Sequence, residues 1–108
     1  MLSNRIKAKI EVGAFLKLVK KYKKEHIECT SHTFFRLSQA QRKIYTCEEL
    51  TNILLKETPF LAGIQFNNNY ALFYRHNNRI LKMIISLEVR KVNIVTFYFI
   101  EEWQIPKL

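Results

Sequence analysis

The chain has 108 residues, 48% of them hydrophobic and 13% aromatic, which suffices for one folded domain and leaves no room for a second core. Eighteen Lys and Arg residues against nine acidic residues give a net charge of +9, and this excess favours a polyanion as partner. Because the two Gly residues are far apart and every acid is Glu, a glycine-rich phosphate loop is excluded and a carboxylate metal site is disfavoured. No cofactor is expected.

Residues 4–24 are predicted to form a helix, because apolar side chains recur every four residues from Ile6 to Tyr22. Cations cluster at its carboxyl end, where they suit the helix dipole. We expect four of them to bind nucleic acid: Lys20, Lys21, Lys23 and Lys24. A membrane-surface helix is the least favoured alternative, since the segment contains no Trp.

The next elements are short. Residues 25–30 are predicted to be extended, and residues 32–41 to form a second helix. A third helix begins after Thr46, which has Glu49 three residues later as in a capping box, and it runs to about Lys56. Cys29 and Cys47 have neither metal-site nor redox-motif spacing, and no secretory signal or membrane span is recognised. We therefore expect two reduced thiols in a cytoplasmic protein.

From residue 60 the apolar period changes to two, and residues 61–66, 70–75, 79–87 and 92–100 are predicted to be strands. The joints between them are short, and two are rich in Asn, which tolerates the backbone angles of tight turns. The expected fold is α+β, with N-terminal helices packed on one face of a roughly four-stranded antiparallel meander. Residues 1–108 would form this single domain.

Two pairs of residues have the chemistry for metal-free RNA cleavage. His32 and Arg36 lie one helical turn apart, so an imidazole that moves a proton would stand beside a guanidinium that binds phosphate. Helix capping and surface charge are the ordinary alternative for this pair. Thr96 and Tyr98 lie two residues apart on the last strand, on one face, where they could hold a phosphate or stack a base. Both residue types are also common in strands.

A third group combines aromatic and cationic residues around the second strand. Tyr70, Tyr74, Arg75 and His76 follow one another on the strand and its turn. Aromatic rings interleaved with cations suit stacking on exposed bases, so Tyr74 and Arg75 are candidates for nucleic-acid binding. The alternative is that the tyrosines are ordinary sheet residues.

The order of these residues resembles a family of small uncharacterised domains that is grouped with RelE-like and colicin-type ribonuclease toxins. The runs that carry the resemblance are IECTSHTFFRL, RKIYTCEELTNIL and IVTFYFIEEW, within residues 26–103. The matched positions are His32, Arg36, Arg42, Thr96, Tyr98 and Trp103. The chain departs from the family pattern at residues 42–44, which read Arg-Lys-Ile in place of Arg-Gly-Ile.

The resemblance implies a metal-independent endoribonuclease of the toxin–antitoxin type that cleaves RNA by 2′-OH attack. His32 would be the general base or acid, Arg36 and Arg42 would bind phosphate, and Thr96 or Tyr98 would position it. An acidic antitoxin would be the protein partner, and the oligomeric state is open, a homodimer included. The alternative function is a basic nucleic-acid-binding protein without catalysis, viral or plasmid-borne, in which His32 is structural.

Overall fold

The computed structural model describes residues 5–30 and 45–108. Within them the strands are β1 Ile6–Ile10, β2 Ile27–Cys29, β3 Leu61–Gln65, β4 Tyr70–His76, β5 Arg79–Leu87 and β6 Val92–Ile100. The α-helices are α1 Val12–Val19 and α2 Cys47–Lys56, and short 3-10 helices span Lys24–His26 and Glu102–Gln104. The α+β class is therefore confirmed for the described residues. The predicted helix at 32–41 lies outside them.

The six strands form one sheet in the order β1-β3-β4-β5-β6-β2. Strands β3 to β6 make the predicted antiparallel meander, with Asn68, Asn77 and Asn78 at positive φ in its turns. The expected four-stranded antiparallel sheet is corrected in two respects. Strand β1 pairs antiparallel with β3 at one edge, and β2 pairs parallel with β6 at the other, so the sheet has six strands and is mixed.

The single helix predicted over residues 4–24 is wrong in its first part. Residues Ile6–Ile10 form β1, and α1 begins only at Val12. The run IKAKI alternates apolar and other residues, which fits an edge strand with exposed Lys7 and Lys9 as well as it fits a helix. Pairing with β3 decides between the two. Because α1 ends at Val19, the lysines at 20–24 lie on the segment that follows the helix.

The sheet has two different faces. Both helices pack on the one that we call the helix face, where Phe15 of α1 and Leu50 of α2 join a buried cluster with Leu72, Met83 and Phe97. The other, which we call the tail face, carries a smaller cluster of Leu61, Ala71, Phe73 and Ile84, and Ile105 near the end of the chain packs against it. Helices α1 and α2 thus share one buried cluster on the same face of the sheet.

Helix α2 begins as the sequence predicts. The Thr46 hydroxyl oxygen accepts a hydrogen bond from the Glu49 backbone N–H at 3.1 Å, and the Glu49 carboxylate accepts one from the Thr46 backbone N–H at 3.3 Å. This capping box pairs backbone donors that the first helical turn leaves free. The helix ends at Lys56, shortly before Pro59.

Cys29 and Cys47 form a disulfide, with their Cα atoms 6.0 Å apart, so the prediction of two reduced thiols is wrong. Cys29 is the last residue of β2 and Cys47 is the first residue of α2. The parallel pairing of β2 with β6 and the packing of α2 against β2 bring these two ends together, which no spacing along the chain reveals. Within the described ranges, no helix is both long and apolar enough to cross a membrane.

Candidate functional site

A row of side chains crosses the tail face from β4 to β6. Strand pairing aligns Phe73 with Lys82 and Lys82 with Tyr98. The Lys82 amino group lies 5.6 Å from the centre of the Phe73 ring and 5.4 Å from the centre of the Tyr98 ring. Phe73 is fully buried, whereas Tyr98 is 37% exposed. The row therefore presents an aromatic ring next to a cation, an arrangement that suits a stacked base and its phosphate.

A β-bulge in β6 turns Thr96 and Tyr98 toward this face. Ile94 pairs with Ile85 and Thr96 pairs with Ile84, so Val95 is the extra residue in β6. In a regular strand without the bulge, Thr96 would share the helix face with the buried Ile94, because it lies two residues further on. The two candidates share one face, as predicted, and that face is the tail face.

Arg75 and Tyr74 lie on opposite faces. Arg75 is on the tail face and donates a hydrogen bond of 2.6 Å to the Glu102 carboxylate, which raises the pKa of Arg75 and lowers the pKa of Glu102. Its guanidinium also lies 4.7 Å from the centre of the Phe60 ring. Tyr74 is fully buried on the helix face, so its ring is not accessible to a base. The structure thus keeps Arg75 in the candidate surface and takes Tyr74 out of it.

The lysine segment 20–24 forms a separate basic surface. All four of its lysines are exposed, and Tyr22 between them donates a hydrogen bond to the Glu88 carbonyl in the β5–β6 turn. Lys24 pairs with Glu48 at 3.0 Å and lowers the pKa of that carboxyl, whereas the other three make no ion pair with a described residue. The β5–β6 turn lies roughly 16 Å along β5 from Lys82. The segment therefore does not adjoin the row on the tail face.

A pair that the sequence reasoning missed lies at a groove along α2. His76 ends β4, and its Nδ1 atom is 3.1 Å from the carboxylate of Glu57, the residue that follows α2. The side chains are only 22% and 37% exposed. The groove has a volume of about 210 Å³, and its lining residues are Tyr45, Glu49, Asn52, Ile53, Lys56, Glu57 and His76. Glu57 and His76 come from different elements, so no local spacing pairs them.

Aromatic rings support the imidazole from one side. The Tyr45 ring lies 5.7 Å from the His76 ring between centres, and it also contacts Phe97 and Phe99. Burial, reinforced by the nearby charges of Glu57 and Glu49, raises the pKa of the Tyr45 hydroxyl against the opposing effect of Arg79. Tyr45 therefore stays protonated at neutral pH and is a hydrogen-bond donor at the groove.

His32, Arg36 and Arg42 lie outside the described residues. The two described ends that flank them are both at candidate sites. Thr30 donates its backbone N–H to the Ile94 carbonyl at 3.1 Å and its hydroxyl to the Val95 carbonyl at 3.4 Å, which places it beside the residue before Thr96. At the other end, Tyr45 lines the groove.

The model of the MJ0788 family matches residues 13–87 of the chain, well over half of its length. The chain belongs to the MJ0788 family. The match to the MJ0788 family includes the groove from Tyr45 to His76 and ends before Thr96 and Tyr98. Comparison with curated proteins gave no match, and neither did comparison with solved structures.

Proposed function

We propose that the protein binds RNA and that the tail face contacts the bases. The observation that carries this proposal is the exposed Tyr98 ring with the Lys82 amino group 5.4 Å from its centre. Every base has a face that stacks on an aromatic ring, and a cation beside the ring meets the phosphate that follows. Arg75 lies on the same face, where its charge is paired with the Glu102 carboxylate at 2.6 Å.

The net charge supplies the electrostatic part of this binding. Of the cationic side chains in residues 5–30 and 45–108, only Lys24, Arg75 and Lys91 pair with a carboxylate. The remainder are available to neutralise phosphates, and counterion release then makes the affinity fall as salt is added. If about five phosphates of a single strand are neutralised, the log–log slope against salt is roughly −3.5.

The test is a fluorescence anisotropy titration of a labelled single-stranded RNA at several salt concentrations. Tyr98→Ala should weaken binding by about 1–3 kcal/mol, the value of one stacked base. Phe66→Ala is the matched control, because Phe66 is 52% exposed in the β3–β4 turn and is not part of the tail-face row. Equal affinities for wild type and Tyr98→Ala, or no binding at low salt, would contradict the proposal.

We also propose that the protein cleaves this RNA without a metal, with His32 as a proton-transferring group and Arg36 and Arg42 on the phosphate. The parallel pairing of β2 with β6 supports this second proposal. Thr30 donates its backbone N–H to the Ile94 carbonyl of β6 at 3.1 Å, and His32 follows it two residues later in the sequence. Thr96 and Tyr98 lie on the same strand.

Cleavage is tested by incubating wild type and His32→Ala with labelled RNA in EDTA and resolving the products on a gel. Wild type should leave a 2′,3′-cyclic phosphate and should not cut where the scissile nucleotide lacks its 2′-OH. His32→Ala should be slower by about 10²- to 10⁴-fold, with little change in RNA affinity. If neither protein cuts and both bind, RNA binding alone remains.

The proposal also includes the cellular location and the protein partners. A cytoplasmic location would bring the protein to RNA, and the Cys29–Cys47 disulfide is compatible with it only in a cytoplasm where disulfides persist, as in hyperthermophiles. An acidic antitoxin and a homodimer stay predictions of the resemblance. Size-exclusion chromatography with light scattering measures whether the protein is a homodimer.

A further inference from the structure

The contact between His76 and Glu57 fixes one nitrogen of the imidazole and leaves the other for chemistry. Nδ1 lies 3.1 Å from the Glu57 carboxylate, and a carboxylate there favours the tautomer that carries its proton on Nδ1. Nε2 then holds a lone pair, and no described residue hydrogen-bonds to it. An imidazole oriented in this way accepts a proton from a hydroxyl that approaches Nε2.

The surroundings of His76 allow an RNA phosphate to approach. The groove beside it, of about 210 Å³, is open to solvent, and Lys56 and Asn52 are among its lining residues. Arg79 lies near enough to lower the pKa of Tyr45 and stacks on Phe99, whose ring also contacts Tyr45. These groups supply positive charge and hydrogen-bond donors against the carboxylates of Glu49 and Glu57.

A buried polar group on the strand that carries His76 has no hydrogen-bond partner among the described residues. The Tyr74 hydroxyl is inaccessible to solvent and makes no hydrogen bond with any described residue. Leaving such a group unpaired costs about 1–3 kcal/mol. Burial raises its pKa well above the usual range, the charge of Glu57 contributes to the shift, and Tyr74 precedes His76 by two residues on β4. The unpaired Tyr74 hydroxyl therefore lowers the stability of the folded protein near the end of β4.

We propose that His76 is a catalytic acid–base residue of RNA cleavage and that Glu57 is the residue that positions it; this inference rests on the cleavage proposed above. Nε2 takes the proton of the ribose 2′-OH as the 2′-oxygen forms its bond to phosphorus. The bond from phosphorus to the 5′-oxygen breaks, and that oxygen takes a proton from a second acid. The products are a 2′,3′-cyclic phosphate and a 5′-OH end, and no oxidant, reductant or other reactant is consumed.

His26 provides a matched comparison, because it also stands beside a glutamate. Its Nδ1 accepts a hydrogen bond from the Lys23 backbone N–H at 3.2 Å, and its Nε2 lies 3.8 Å from the exposed Glu25 carboxylate. These contacts use both nitrogens within one short 3-10 turn. His26 therefore has a local structural role, and His26→Ala should cut RNA at the wild-type rate.

The experiment measures cleavage of a labelled single-stranded RNA in EDTA by wild type, His76→Ala, His76→Gln and His26→Ala. Both His76 variants should be slower by about 10²- to 10⁴-fold with unchanged KM. Imidazole added to His76→Ala should restore part of the rate, since the truncated side chain leaves room for it at the groove. Glu57→Gln, which keeps an acceptor oxygen, should lose less rate than Glu57→Ala. Circular dichroism melting of each variant verifies that it is folded.

The possible outcomes distinguish the role of His76 from the RNA cleavage on which it depends. If wild type cuts and His76→Ala cuts equally fast, His76 is not catalytic, while the proposed cleavage stands. If His76→Ala is slow but imidazole restores nothing and His76→Gln cuts normally, His76 is structural and the inference is overturned. If wild type cuts no RNA, the proposed cleavage fails and the role of His76 fails with it, whereas RNA binding remains measurable.

Discussion

Replacing Cys29 and Cys47 together by Ser removes the covalent link between the end of β2 and the start of α2. The two cysteines are 18 residues apart, and closing a loop of that length lowers the entropy of the unfolded chain by about 11 cal/mol/K. At 25 °C this amounts to about 3 kcal/mol of stability, which the double variant should lack. For a domain of this size, about 3 kcal/mol corresponds to a fall in Tm of roughly 10–20 °C.

The assay is thermal unfolding followed by circular dichroism, with and without a phosphine reductant. Reduced wild type and the double Ser variant should melt at nearly the same temperature, below oxidised wild type, and the reductant should not change the variant. Maleimide labelling of the native, non-reduced protein should modify neither cysteine. Rapid labelling of both thiols, or a Tm that is insensitive to the reductant, would refute the reasoning.

Two further substitutions test local features. Thr46→Ala removes the side-chain acceptor of the capping box and should lower the free energy of unfolding by about 1 kcal/mol in urea titration, whereas Thr46→Ser should not. Tyr74→Phe removes the unpaired buried hydroxyl and should raise stability by about 1 kcal/mol at neutral pH. Because burial raises the pKa of Tyr74, the unfolded chain releases this proton first, so wild type should lose stability as pH rises above about 10, and Tyr74→Phe should lose less. Equal stability of wild type and Tyr74→Phe at every pH would contradict this account.

The elements that sequence reasoning predicted well are those encoded locally. The strands predicted at 61–66, 70–75, 79–87 and 92–100 differ from β3 to β6 by at most one residue at an end. Alternating side chains and Asn-containing turns suffice for such a meander. The same holds for α2, whose start depends on contacts between Thr46 and Glu49, three residues apart.

The features that it missed depend on contacts between distant residues. β1 fits a helix or a strand until β3 is available as its partner. The disulfide requires β2 to lie beside β6, and the His76–Glu57 pair requires the end of α2 to meet the end of β4. The face of Thr96 and Tyr98 was predicted as shared, but the bulge at Val95 that selects the tail face is visible only in the register of β5 with β6.

This difference between local and distant contacts also separates the two proposed functions physically. Tyr98 and Lys82 lie on adjacent strands of the meander, so RNA binding needs only the sheet that short turns already specify. Cleavage needs more, since Glu57 and His76 must meet across the groove and the segment between Thr30 and Tyr45 must start from β2 and end at α2. The disulfide holds the Cα atoms of Cys29 and Cys47, which flank this segment, 6.0 Å apart. A change that loosens these distant contacts should therefore reduce cleavage before it reduces binding.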